Sequence, residues 1–191
     1  DSYFLRGRSI ALDSGGNIIV SFSGKDNSNV ISSFVLKLNS SGSETWERRI
    51  YNPSNQSTTP SINGIVVDSN DNYYVCNYNS YYFILTKFNS SGTRQWIGWP
   101  GLNGNNNTSI FMDSSDNLYV ISGEDNVGNV QKVDISNGNV TGGFKFFDYI
   151  PEDASSIAQV KIQNGVVLST GRIALAIAAN NSSWATLVLT D

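Results

Sequence analysis

The sequence predicts an all-β fold, a β-propeller of about four blades, each a four-stranded antiparallel sheet, and three observations carry that expectation. Short segments of Ile, Val, Leu, Phe and Tyr alternate with clusters of Asn, Asp, Ser and Gly, and no helical 3.6-residue spacing is sustained for three turns. One motif is written three times, as "IALDSGGNIIV" from Ile10, "IVVDSNDNYYV" from Ile65 and "IFMDSSDNLYV" from Ile110. A second, "KLNSSGSETW" from Lys37, returns as "KFNSSGTRQW" from Lys87 and, weakly, as "KVDISNGNVTG" from Lys132. The steps from Asp13 to Asp68 and from Asp68 to Asp113 are 55 and 45 residues. At that period each repeat is a small sheet that cannot bury both faces alone and must lean on its neighbours.

Within the first unit, strand a falls near Ser9 to Asp13, strand b near Ile18 to Ser23, strand c near Phe34 to Asn39 and strand d near Glu44 to Ile50. "DSGGN" joins a to b: its Asp and Asn side chains can bond their own backbone, and its glycines accept positive φ. "NSSG" is the same device between c and d, and such tight turns force antiparallel neighbours. The repeats cover approximately residues 9–50, 61–99, 108–148 and 155–191 of a single domain, 1–191. The fourth copy, "VKIQNGVVLSTG" from Val160, is degenerate. An ungapped match of Gly123 to Gly171 puts Lys161 in the place of the aspartate, and "WATLVLTD" ends the copy in a strand c with no strand d. Two arrangements follow. Either residues 1–7, with Ser2 to Arg6 as the missing strand, close a four-blade ring and remove its exposed edges, or the chain is a segment of a larger propeller.

Composition narrows the function. The net charge of -4, with Arg48 and Arg49 the only adjacent basic pair, argues against nucleic acid. No run approaches the ~18 apolar residues of a membrane-spanning helix, so no membrane insertion is expected and the chain is read as soluble. Its start on Asp1 is read as processing or excision from a longer polypeptide. The single Cys76, inside "YYVCNY", reads as a small buried hydrophobe. Histidine is absent, which removes Ser-His and Cys-His nucleophiles and the usual zinc ligands. The adjacent carboxylates Glu124-Asp125 and Glu152-Asp153 would point to opposite faces of a strand and read as loop charges. No catalytic residue and no cofactor is expected.

The combination of "D-S-x-x-N-x-x-V" with "F-V-L-K-L-N-S-S-G-x-x-x-W" resembles the SBBP-type β-propeller repeat of bacteria and their phages, over about three and a half units from Ser9 to Asp191. The resemblance implies a propeller within a large cell-surface protein or a virion protein, and it brings no catalytic residue, because the repeat carries none. The fourth unit departs from it, having neither the aspartate nor "NSSG".

Several residues are candidates for structure or binding. Asp13, Asp68 and Asp113 recur at the end of strand a, and Lys37, Lys87 and Lys132 recur in strand c. The expectation is that they pair within or between blades, since a lone charge between packed sheets is costly, and the alternative is that both reach solvent at the rim. Trp46 and Trp96 recur in strand d and are expected to pack between blades, with sugar stacking as the alternative. Asp68, Asn70 and Asn72, and Asp113, Ser115 and Asn117, have the oxygen spacing of the first half of a calcium loop. They lack its glycine and distal glutamate and are read as hairpin turns.

The b–c and d–a connections are long and irregular and share one side of the ring, where recognition loops usually lie. Tyr51, Asn55, Trp99, Asn103, Asn105 and Trp184 are the ligand-binding candidates there. The expected function is a non-enzymatic binding module of an extracellular or virion protein, contacting a host or environmental glycan or surface receptor through that loop face. The alternative is a structural domain contacting neighbouring protein chains in a virion or cell-surface assembly.

Overall fold

The computed structural model describes residues 6–25, 31–50, 61–78, 83–101, 108–124, 127–147, 160–170, 172–179 and 183–189. Every regular element among them is a β-strand. The first sheet, blade 1, holds β1 (Arg6–Leu12), β2 (Ile18–Lys25), β3 (Ile31–Leu38) and β4 (Glu44–Ile50). Blade 2 holds β5 (Ser61–Val67), β6 (Tyr73–Tyr78), β7 (Phe83–Phe88) and β8 (Arg94–Gly98). Blade 3 holds β9 (Thr108–Met112), β10 (Leu118–Glu124), β11 (Val127–Val133) and β12 (Val140–Phe147), and blade 4 holds β13 (Val160–Val167), β14 (Ile173–Ala179) and β15 (Ser183–Leu189). Each sheet is antiparallel with its strands in chain order. Strand a of the first unit begins three residues earlier than the motif marks it, and all the strand types expected in that unit are present.

The turns form for local reasons. In each D-S-x-x-N segment the aspartate N–H donates to the asparagine carbonyl, at 3.0 Å for Asp13 and Asp68 and 3.1 Å for Asp113. The aspartate carboxylate then fills the loop, with Asp13 Oδ1 accepting from the backbone N–H of Gly15 at 3.0 Å and of Asn17 at 2.8 Å. Asp68 and Asp113 do the same. The fourth turn position has positive φ in all three: Gly16 at 72°, Asp71 at 58° and Asp116 at 60°. Glycine enters that region freely, whereas aspartate does so at some cost.

The blades lean on one another in chain order: β1 packs on β5, β5 on β9 and β9 on β13. Alternation along each strand sends successive side chains to opposite faces, so each sheet has an upstream and a downstream apolar face. Ile19, Val35, Trp46 and Ile50 of blade 1 meet Ile62, Ile65, Tyr73, Val75 and Phe88 of blade 2. Tyr74, Cys76, Phe83 and Leu85, on the other face of blade 2, meet Ile110, Leu118, Val120 and Val133 of blade 3. Phe111, Ile121 and Val130 meet Ile173 and Leu175 of blade 4. Each fully buried Leu, Ile or Phe in these layers contributes about 2 kcal/mol, so the junctions between sheets are the core of the molecule.

Two expectations about the fourth unit need correction or location. Leu168, not Lys161, stands in the aspartate's place: its N–H donates to the Arg172 carbonyl at 2.7 Å, the bond that Asp13 makes to Asn17. The match of Gly123 to Gly171 slipped the frame, because Gly123 lies inside β10, opposite Gly128, while β13 ends at Val167 and β14 begins only at Ile173. Residues 1–5 of the expected closing strand lie outside the described residues, and Arg6 belongs to β1, opposite Ser23. Among the described residues, apolar side chains at both ends of the row are exposed. Ile10 and Leu12 on the upstream face of blade 1 are 66% and 63% exposed, and Val166 on the downstream face of blade 4 is 53% exposed. The equivalent Ile65 and Ile110 are only 5% and 4% exposed.

Candidate functional site

The recurring lysines and tryptophans form a lattice that joins one blade to the c–d turn of the next. Lys37 Nζ lies 2.8 Å from Asp13 Oδ2 within blade 1 and donates to the Tyr73 hydroxyl of blade 2 at 2.6 Å. The Tyr73 O–H in turn donates to Asp13 Oδ2 at 3.3 Å, closing a buried three-membered network across the first junction. Burial alone would raise the Asp13 pKa, but the bonds from Lys37 and Asn17 outweigh it and hold the carboxyl at about 2. Burial opposes the charge on Lys37 too, and its bonds to Asp13 and Tyr73 raise its pKa nonetheless.

Among the described residues this ion pair forms in blade 1 alone. In blade 2 the residue two beyond the turn's closing Asn72 is Tyr74, whose hydroxyl donates to Asp68 Oδ2 at 2.9 Å and so takes the place that a lysine would fill. Lys87 turns instead to the Ile135 carbonyl of blade 3, at 3.0 Å, with its ammonium 5.2 Å from the centre of the Tyr74 ring. Lys132 is exposed on β11; burial would raise the Asp113 pKa, but bonds from Asn117 and Ser115 and, last, the charge of Lys132 lower it.

Trp46 is buried in the first junction and lies over Gly92 of the blade 2 turn, where a Cβ would come within 2.8 Å of the indole. Trp96 lies in the same way over Gly138 of blade 3, and its N–H donates to the Ile135 carbonyl at 3.1 Å. Both tryptophans thus pack between blades. The oxygen-rich turns are saturated from within: Asp68 accepts from Asn70, Asn72 and Tyr74, and Asp113 from Ser115 and Asn117. The asparagines act as donors to the aspartate. Among the described residues no group of three acid, Cys or His side chains could hold a metal ion.

The inner strands enclose a groove of about 410 Å³ lined by β1, β5 and β9. Its polar lining comes from Arg8, Ser9, Asn63 and Ser109, and its apolar lining from Ile10, Ile65, Ile110, Phe111 and Met112. Arg8 and Asn63 are the extra residues of β-bulges that shift the register of β1 and β5. A bulge re-aims its side chain, and here it brings a guanidinium and an amide to the groove. Gln163 is the bulge residue of β13 at the corresponding place. Asn63 Nδ2 donates to Thr108 Oγ1 at 2.7 Å, and the backbone N–H of Ile65 donates to Ser9 Oγ at 3.2 Å, so adjoining inner strands are tied together along the groove. Arg8 is exposed and makes no hydrogen bond or ion pair with the described residues.

Of the ligand candidates on the loop face, Trp99 follows β8 and is 53% exposed, on the side of the ring where β1, β5 and β9 begin. Tyr51, Asn55, Asn103 and Asn105 lie outside the described residues, as do Asp125, Glu152 and Asp153 of the carboxylate pairs. Trp184 stands in β15 opposite Ala178. The motifs did not single out the bulge residues Arg8 and Asn63, which sit two residues before the repeated segments that begin at Ile10 and Ile65. Nor did they mark a rim clasp: Ser14 donates through N–H and hydroxyl to Asp71, at 2.8 and 2.7 Å, and Ser69 donates likewise to Asp116. An aspartate in a left-handed turn position that glycine could hold was the available signal.

Radially leaning four-stranded sheets around an inner-strand groove define a β-propeller. No family model matches the sequence, and no curated relative matches it. Solved structures do match in fold. The Dos1 propeller superposes with a TM-score of 0.60 at 14% identity, over 97% of this chain and 48% of that one. A luciferin-regenerating enzyme matches with a TM-score of 0.53 at 10% identity, over 100% and 81%. The polysaccharide lyase Uly1 matches with a TM-score of 0.50 at 12% identity, over 98% and 45%. The chain therefore spans about half the length of the Dos1 and Uly1 chains.

Proposed function

We propose that this propeller is a non-enzymatic recognition module of an extracellular or virion-borne protein, reading a glycan through the face that carries its b–c and d–a connections. The groove is the observation that supports the reading. It offers hydrogen-bonding groups from Arg8, Ser9, Asn63 and Ser109 on a lining whose accessible surface is mostly polar, and Trp99 is an exposed ring on the loop face. Among the described residues that line it, the side chains offer donors and acceptors for a saccharide's hydroxyl groups. A polysaccharide lyase with the same type of fold is compatible with a saccharide ligand. A second reading, a structural domain bound to neighbouring protein chains, is favoured by the exposed apolar side chains Ile10, Leu12 and Val166.

A glycan array probed with the whole chain separates the two readings. The expected result is selective binding, which Arg8→Ala and Trp99→Ala each weaken roughly tenfold in calorimetry with unchanged circular dichroism. Absence of binding above background, together with extensive protein contacts in the native assembly, would replace recognition by structure.

A further inference from the structure

We infer that the saccharide read by the groove is an acidic one, its anionic group, a carboxylate or a sulfate, held by the Arg8 guanidinium near the start of β1. The inference rests on the glycan reading above and adds to it the charge of the ligand.

The charge of the inner strands runs against that of the whole chain. The protein has 16 acidic and 12 basic residues, a net charge of -4. Yet β1 carries Arg6 and Arg8, β13 carries Lys161, and β1, β5, β9 and β13 hold no Asp or Glu. Asp13, Asp68 and Asp113 follow the far ends of β1, β5 and β9, in the a–b turns. Asp13 is five residues beyond Arg8, roughly 15 Å along an extended strand. That exceeds the screening length of about 8 Å at physiological ionic strength, so Arg8 keeps a positive field on the side where the inner strands begin.

Arg8 is also fixed in place by the fold. It is the extra residue of a bulge, between Gly7 opposite Phe22 and Ser9 opposite Ser21. Counted back from the a–b turns, Arg8, Asn63, Thr108 and Gln163 share one inner-strand position, and a polar residue stands there in every blade. Asn63 and Thr108 bond each other across their junction at 2.7 Å. Arg8 makes no such bond with the described residues and keeps its five N–H donors for a ligand. Two of those donors, parallel in the guanidinium plane, match an oxygen pair of a carboxylate or sulfate. Ser109, on β9 of the same groove, is only 7% exposed, and its hydroxyl makes no hydrogen bond with the described residues. Buried hydroxyls are normally paired, and an oxygen of a ligand in the groove would pair this one. Ser9 Oγ accepts from the Ile65 N–H at 3.2 Å, which leaves its own proton to donate. The volume of about 410 Å³ lies within the range of small-ligand sites.

Calorimetry on the whole chain with three oligosaccharides of one length tests this: an oligomer of a hexuronic acid, the same oligomer with its carboxyl groups reduced to alcohols, and a sulfate ester of that neutral oligomer. At least one acidic probe should bind roughly tenfold more tightly than the neutral one, with an advantage that shrinks between about 0.05 and 0.5 M salt. Whichever acidic probe binds better identifies carboxylate or sulfate as the source of the charge. Arg8→Gln should bring acidic and neutral probes within about twofold of each other with unchanged circular dichroism, and Arg8→Lys should keep part of the preference. Ser109→Ala, which breaks no bond to the described residues, should weaken the acidic probe several-fold. Equal binding of neutral and acidic probes leaves the glycan reading in place and overturns this inference. So does an acidic preference that Arg8→Gln leaves unchanged. A chain that binds neither acidic probe overturns it as well, and the glycan reading falls with it only if the array is also blank.

Discussion

Asp13 and Lys37 sit on the same sheet, yet the third member of their network, Tyr73, comes from the next, so this one site couples two blades. Lys37→Met would leave the Asp13 carboxylate buried without its cation and should cost about 3 kcal/mol in urea unfolding, more than the Asp13→Asn, Lys37→Met double variant costs. A double-variant loss equal to the sum of the two single-variant losses would mean that the pair acts as two independent groups. Because the folded Asp13 pKa is depressed to about 2, its contribution is complete above the unfolded value near 4 and is lost as pH falls from about 4 to 2. Asp68 and Asp113 are lowered as well and act in the same sense. Stability should therefore fall by about 2 kcal/mol or more over that window, and Asp13→Asn should flatten the slope. An unchanged slope would deny Asp13 its role. The sequence marked Asp13 and Lys37 by recurrence but could not mark Tyr73, because the same turn is followed by Ile18 in blade 1 and by Leu118 in blade 3.

At the scale of the element, the twice-written "NSSG…W" has two uses. Gly42 and Gly92 both need positive φ to make the turn, at 85° and 77°, but only Gly92 lies beneath a tryptophan of the preceding blade. Gly42→Ala, with open space around its Cβ, should cost about 1 kcal/mol of backbone strain. Gly92→Ala must also displace Trp46 and should cost about 2 to 4 kcal/mol. Denaturant midpoints compare the two, and matching losses would show that the turn matters only for its own hairpin. Strands and turns were legible because alternation and turn chemistry act over a few residues. The bulges at Arg8 and Asn63 were not, since a bulge is a mismatch between two strands and neither strand carries it alone.

For the whole molecule, the repeat period implied stacked sheets, and the sheets stack in that order through three apolar layers. The ends of the row behave differently from its middle: the same isoleucine position is covered in blades 2 and 3 and open in blade 1. By itself the sequence determined the repeated sheet unit, the antiparallel order of its strands and the turn conformations, because each of these depends on side-chain alternation and on short-range hydrogen bonds. Only the tertiary structure decided which carboxylate meets a lysine and which a tyrosine, which side chains line the groove, and which apolar faces stay uncovered. Those outcomes depend on what the neighbouring blade presents across the junction, roughly fifty residues away, and the pattern within one repeat holds no information about it.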